Sequence, residues 1–367
     1  MINKISSIKN AERVMVANIS HENNFGFLRL LFAYLVIISH SSELVYNSPL
    51  RELFHMITGS VTFGMLAVDG FFLISGYLIY QSYENSKNFS SYMVKRVLRI
   101  FPGFIVASFL SLIFVVALTN NPQLLSNLNL YEWVKIFLKA LILSTPYVDG
   151  LLLNASRQII NGSIWTVRYE FFCYLFVPLI ALLSFKKINI LILTFLFLSI
   201  CVYMIAYDVN YIYRNVAFFS LFQFFRMTTA FLVGTCFYKY RHLIKWKQNY
   251  VAFCFLALIF IRLVSTTFFE LGLIILGGYI MFNFAFIFKS KMLEKIGAKT
   301  DISYGVYLYA WPIQIVIIHH FNSVNPWLLS AITILLASVV GYISWISIEK
   351  PFMNINKRFI KREAINA

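Results

Sequence analysis

Arg29 and His40 lie eleven residues apart in the apolar run FGFLRLLFAYLVIISHS. At 3.6 residues per turn this spacing returns to within about 20° of the same helix face, about 16 Å further along the axis, so both look into one interior. An imidazole there can take a proton from a hydroxyl as general base or act as a nucleophile. The spacing alone equally fits an arginine marking a helix end and a hydrogen-bonded interior histidine. In MVKRVLRIFP, Lys95 is followed by Arg96 and Arg99 at i and i+3 on one helix face, a fork that suits phosphate oxygens and equally serves as a topological signal. Further ionisable groups stand in apolar runs at Asp69, Arg168, Glu170, Arg226, Arg262, His319 and His320. A charge at the centre of a spanning helix costs about 2.5–3.5 kcal/mol on insertion scales, so each is a candidate for function or needs a partner. Asp69 with Arg168 is one such expected ion pair, and the adjacent histidines read as interfacial and inert.

The elements that carry these residues follow from composition. The 367 residues are 60% hydrophobic, against the 45–50% usual for soluble domains. Ten apolar runs reach spanning length, at about 26–46, 59–82, 101–119, 163–185, 188–207, 218–238, 250–267, 270–288, 302–321 and 326–348. The predicted fold is an all-α membrane protein, a bundle of about ten transmembrane helices. With the N-terminus inside, the alternating loops place 22 Lys and Arg on the cytoplasmic side and 5 outside. The positive-inside rule then puts both termini in the cytoplasm. The expected division is a cytoplasmic N-terminal segment 1–25, a membrane domain 26–348 and a basic cytoplasmic tail 349–367. The longest non-spanning stretch, 120–162, lies outside, and its apolar piece Tyr131–Leu143 is expected to lie along the interface or line a re-entrant cavity. A net charge of +16 spread in short clusters between apolar runs is topology and argues against a nucleic-acid partner. Cys173, Cys201, Cys236 and Cys254 fall in apolar runs without a CxxC pair, so neither a disulfide framework nor a metal site is expected.

Five segments in order resemble the acyltransferase-3 family of integral membrane acyltransferases. FLRLLFAYLVIISHS is similar to its Arg-x10-His opening and VDGFFLISGYLI to its FF-x-x-SG span. KRVLRIFP resembles its Arg-x-x-Arg-[IL]-x-P segment. IWTVRYEFFCYLFVPL resembles its Trp-[ST]-x-x-x-Glu-x-x-x-Tyr span, and ISYGVYLYAWPIQ with IEKPF its closing pair. One departure is evident: many members read Tyr-x-His-x-Pro where this chain has Tyr309, Ala310, Trp311 and Pro312.

The resemblance implies a single-domain, surface-polysaccharide type of O-acetyltransferase in a bacterial inner membrane. Acetyl-CoA would be the co-substrate and a surface glycan or lipid-linked sugar the acceptor. It places His40 and Glu170 as catalytic candidates, with Glu170 orienting His40 or the sugar. Arg29, Arg96 and Arg99 would hold the anionic donor, and Asp69, Ser75, Trp165 and Arg168 would support the site. His40 would act as general base or as an acyl-imidazole carrier. A transporter or flippase of a lipid-linked glycan is the alternative, but the paired, Gly/Pro-broken segments of transporter halves are not evident.

Overall fold

The computed structural model describes residues 23–118, 128–145, 159–185, 190–214, 216–321 and 323–355. Residues 1–22 of the expected N-terminal segment, the Lys186–Lys187 loop, residues 356–367 of the tail, and 119–127 and 146–158 of the long outer stretch lie outside the described residues.

Every regular element within them is helical. In chain order these are α1 (Phe25–Tyr46), α2 (Leu53–Thr58), α3 (Phe63–Glu84), α4 (Phe89–Leu118), α5 (Leu130–Leu141), α6 (Trp165–Phe185) and α7 (Ile190–Arg214). There follow α8 (Val216–Lys239), α9 (Gln248–Val264), α10 (Thr266–Gly272), α11 (Gly278–Ile287), α12 (Lys291–Lys295), α13 (Ser303–His320) and α14 (Pro326–Ser344). A π turn over Leu273–Gly277 joins α10 to α11, and a second, Trp345–Glu349, carries the last helix on to Ile355. The helical form is what a bilayer demands, because it satisfies backbone N–H and C=O groups within the segment.

Each of the ten apolar runs falls on a helix, and seven helices are long and apolar enough to cross a membrane. Two more, Ile190–Ala206 and Gln248–Val264, are apolar but shorter. The Tyr131–Leu143 piece forms α5, opened by a capping box between Asn129 and Glu132 and packed by Ile136 and Ala140 while Tyr131 and Leu138 stay exposed.

Helices in lipid gain little from hydrophobic burial against one another, so close backbone approach matters more. The contact of α3 with α8 shows how the sequence provides it. A Cβ at Gly76 would collide with the carbonyl oxygen of Phe231, and one at Gly234 with that of Leu73. Thr235 Oγ1 donates across the same seam to Gly76 O at 3.2 Å. The start of α1 is fixed by Asn24, whose amide donates to Phe288 O at 2.6 Å and whose N–H donates to Ala285 O. Phe25 then packs against Tyr77, Phe282 and Phe286 at centroid distances of 5.3–5.9 Å. These contacts hold α1, α3, α8 and α11 as one body, which sets the register of Arg29 and Ser75.

The buried charges are paired differently from the expectation of Asp69 with Arg168. Arg226 of α8 lies between Asp69 of α3, 3.0 Å from its Nη1, and Glu270 of α10 in direct contact, and its Nε donates to Gln223 at 2.8 Å. Arg226 is 2% exposed, so removing it would leave two uncompensated carboxylates in an apolar interior. Arg168 stands half-buried on α6, away from this cluster.

Candidate active site

Helices α1, α3, α4, α6 and α13 enclose a cavity of about 160 Å³. Arg29 enters it from α1, Ser75 from α3, Arg96 and Arg99 from α4, Thr166, Glu170 and Tyr174 from α6, and Tyr304 and Tyr307 from α13. Apolar side chains such as Phe71, Phe72 and Leu78 complete the wall. Five of the residues singled out from the sequence, Arg29, Ser75, Arg96, Arg99 and Glu170, therefore meet in one space.

The three arginines differ in how their charge is met. Arg99 donates from Nη2 to Asp301 at 2.8 Å and from Nη1 to Glu349 at 3.0 Å, and its guanidinium lies 5.6 Å over the rings of Tyr304 and Trp345. Arg29 Nη1 lies 3.3 Å from the same Asp301 oxygen. Burial alone would raise the Asp301 carboxyl, but Arg29, Arg99 and the Ser303 hydroxyl outweigh it and hold it below its ordinary range. Arg96 has no carboxylate at ion-pair distance among the described residues. It donates to Ser82 Oγ at 3.2 Å, lies 5.9 Å over both the Tyr92 and Tyr174 rings, and its Nε has no partner. It is thus the cavity's least compensated cation, and an anion is the ligand that would complete it.

Glu170 sits deeper. Its Oε1 accepts from Tyr174 OH at 2.6 Å and from Ser75 Oγ at 3.0 Å. Beyond it, Thr166 and Tyr307 share a hydroxyl–hydroxyl contact of 2.6 Å at the cavity wall. The Ser75–Gly76 pair thus has two separate uses: the serine reaches Glu170 and the glycine admits α8.

His40 lies past the cavity lining, further along α1. Its Nδ1 is 3.3 Å from Glu43, and the edge of the Trp311 indole meets its ring at a centroid distance of 4.8 Å and 82°. The carboxylate beside His40 is therefore Glu43, not Glu170. A carboxylate only accepts, so the contact favours the proton on Nδ1, and in the neutral ring the lone pair is then on Nε2. Trp311 is itself fixed, with its indole N–H donating to Ile159 O at 3.2 Å and its ring lying where a Cβ on Gly162 would be. The segment Tyr309–Pro312, where the resemblance calls for a histidine, thus supplies a tryptophan wall to His40.

Of the supporting residues, Ser75 is in the cavity, Asp69 is in the Arg226 cluster, and Trp165 packs on Tyr169 and Phe219 without lining the cavity. His319 and His320 are exposed at the end of α13. Sequence reasoning missed Tyr174, Asp301 and Glu349. Tyr174 closes the Trp-[ST]-x-x-x-Glu-x-x-x-Tyr segment four residues after Glu170, on the same helix face, but was not singled out as a site residue. Glu349 stands in the IEKPF segment that carries the resemblance, whereas Asp301 carried no comparable local signal.

An arginine-rimmed cavity inside a bundle of apolar helices of spanning length, with a carboxylate-paired histidine further along one of its walls, is the candidate site. Residues 22–346 match the family described as an acyltransferase domain, and the chain belongs to this acyltransferase-3 family. It is an acyltransferase, and a multi-pass membrane protein. It is 29% identical over 345 residues to an O-acetyl transferase of Shigella phage Sf6, across 91% of this chain and 97% of that protein. It is 33% identical over 171 residues to Nodulation protein 10 of Rhizobium leguminosarum bv. viciae, 44% of each chain. No solved structure matches it.

Proposed function

We propose that the protein is an O-acetyltransferase of a bacterial inner membrane. It takes an acetyl group from cytoplasmic acetyl-CoA and passes it to a hydroxyl of an extracytoplasmic or lipid-linked glycan. In this reading all ten apolar runs of the sequence span, both termini are cytoplasmic, and residues 26–348 form the transferase domain. The observation that carries the proposal is the cavity that begins at Arg29, Arg96 and Arg99 and runs toward Thr166 and Tyr307, with His40 beyond it on α1. The name of the Shigella phage relative supports the O-acetyl assignment.

The donor's phosphates face Arg96, and its narrow arm carries the thioester inward. Nε2 of His40 removes the proton of the sugar hydroxyl, whose oxygen attacks the thioester carbonyl carbon. The C–S bond breaks, and the departing thiolate takes the proton from the imidazolium. The products are the acetyl ester and CoA-SH. In the covalent variant, Nε2 attacks the carbonyl carbon first and the C–S bond breaks, releasing the CoA thiolate. The sugar oxygen then displaces the imidazole from the acyl-imidazole, and the proton of its hydroxyl passes to the thiolate to give CoA-SH. Glu43 holds the ring in the tautomer that both routes need.

The testing experiment is mass analysis of surface glycans from cells with and without the gene, together with CoA release from acetyl-CoA by membranes containing the protein. Glycan acetylation that is unchanged on deletion, with no CoA release, contradicts the proposal.

A further inference from the structure

A second space opens at the basic end of the bundle, with a volume of about 570 Å³. Tyr80, Tyr83 and Glu84 line it from the last turns of α3, Lys87 and Asn88 from the connection to α4, and Lys239 from the end of α8. It adjoins the inner cavity along α3. Ser75, Leu78 and Ile79 face the inner space, and Tyr80 and Tyr83 face the outer one within about one further turn, about 6 Å. Arg96 lines the inner cavity and its Nη2 donates to Ser82 Oγ, and the Ser82 carbonyl in turn accepts at 2.6 Å from Ser86 Oγ of the outer cleft, which joins the two spaces.

The sizes divide the donor. Pockets for small molecules typically hold about 300–1,000 Å³, a range that includes the outer cleft and excludes the inner cavity. The inner space admits a slender acyl-bearing arm but not a nucleotide. An acyl thioester of CoA joins such an arm to a bulky nucleotide bearing several phosphates. With the phosphates that precede the arm at Arg96 and the arm running inward past Glu170, the nucleotide falls at the outer cleft.

The cleft's chemistry fits. The half-buried Tyr83 offers ring surface for a purine, since stacking on aromatic side chains is how bases are commonly held, while Tyr80, 2% exposed, backs the cleft. The ammonium groups of Lys87 and Lys239 act as point charges for phosphate, and Lys239 lies 5.9 Å over the Tyr80 ring. Glu84 would repel phosphate but can accept from an exocyclic amine, which orients the base toward α3 and the phosphates toward the lysines. We infer that the Tyr80–Tyr83–Lys87–Lys239 cleft binds the phosphorylated nucleotide of the acyl donor. The inference rests on the donor being acetyl-CoA.

Lysines at a membrane edge could instead hold the phosphate of an anionic lipid headgroup, so the test separates the two sources. The probe is adenosine 3′,5′-bisphosphate, titrated calorimetrically into the full chain in neutral-lipid nanodiscs and again in nanodiscs containing phosphatidylglycerol. The cleft should bind it in both. The pair Lys87→Ala with Lys239→Ala should weaken it by at least about tenfold, the equivalent of one charge-assisted contact. Lys87→Arg with Lys239→Arg keeps the charge and should retain binding, which guards against misreading a folding defect. No binding to the unaltered chain, equal binding in the alanine pair, or abolition by phosphatidylglycerol each overturns the inference. Acetyl-CoA turnover is measured in parallel. Turnover without bisphosphate binding strikes the cleft alone, whereas bisphosphate binding without turnover upholds the cleft and strikes the acetyl-CoA reading.

Discussion

The imidazole Nδ1 of His40 lies 3.3 Å from the carboxylate of Glu43, one turn further along the same helix. Two residues of one helix thus form the acid–histidine pair, so its geometry does not depend on how neighbouring helices settle. Trp311 closes the other side of the ring.

Glu43→Ala should lower kcat by about tenfold or more, a part of the 10²–10⁴ that a positioned base contributes, with KM for acetyl-CoA little changed. Glu43→Gln, whose amide oxygen still accepts from Nδ1, should fall between Ala and the unaltered protein. A kcat that does not respond to either change would remove Glu43 from the site. Steady-state CoA release at varied acetyl-CoA supplies both constants.

Arg96 and Arg99 should separate, although the sequence presents them as one fork. Arg96→Ala removes the cation that has no carboxylate partner and should raise KM for acetyl-CoA with little effect on melting. Arg99→Ala leaves the fully buried Glu349 without a cation and Asp301 with Arg29 alone, and should cost about 3–5 kcal/mol of stability. Thermal melting in detergent beside the kinetics distinguishes them. The reverse pattern would mean that Arg99 is the donor contact.

The Arg226 cluster should behave as a structural unit. Arg226→Gln alone leaves Asp69 and Glu270 without their cation and should reduce the folded yield sharply. Adding Asp69→Asn and Glu270→Gln should recover most of it, because replacing a whole buried ion cluster by neutral groups is far less costly than breaking it. A triple variant no better than the single one would show that the charges themselves are needed.

Much of this was legible in the sequence because it depends on short periods. The apolar runs foretold where helices lie, the Arg-x10-His spacing placed both residues on α1, and the Arg-x-x-Arg and Ser-Gly pairs fell in or beside the cavity. Pairing across the bundle was not legible. Asp69 finds Arg226 and not Arg168, and Arg99 finds Asp301 and Glu349 some 200 and 250 positions away. Such partners are chosen by which helix faces meet, which for α3 and α8 depends on a glycine seam that no local pattern reports. Glu349 was read as the start of a tail because it follows the last apolar run, but the π turn Trp345–Glu349 turns it inward.

The most direct test of the account is CoA release from acetyl-CoA by purified protein in proteoliposomes with acceptor glycan, comparing the unaltered chain with His40→Gln at matched protein level. Glutamine keeps size and hydrogen bonding but has no titratable nitrogen, so the variant should retain no more than about a hundredth of the rate, the least that a general base usually contributes. A variant that keeps more than about a tenth would contradict His40 as the catalytic group, leaving Glu170 in the cavity as the next candidate.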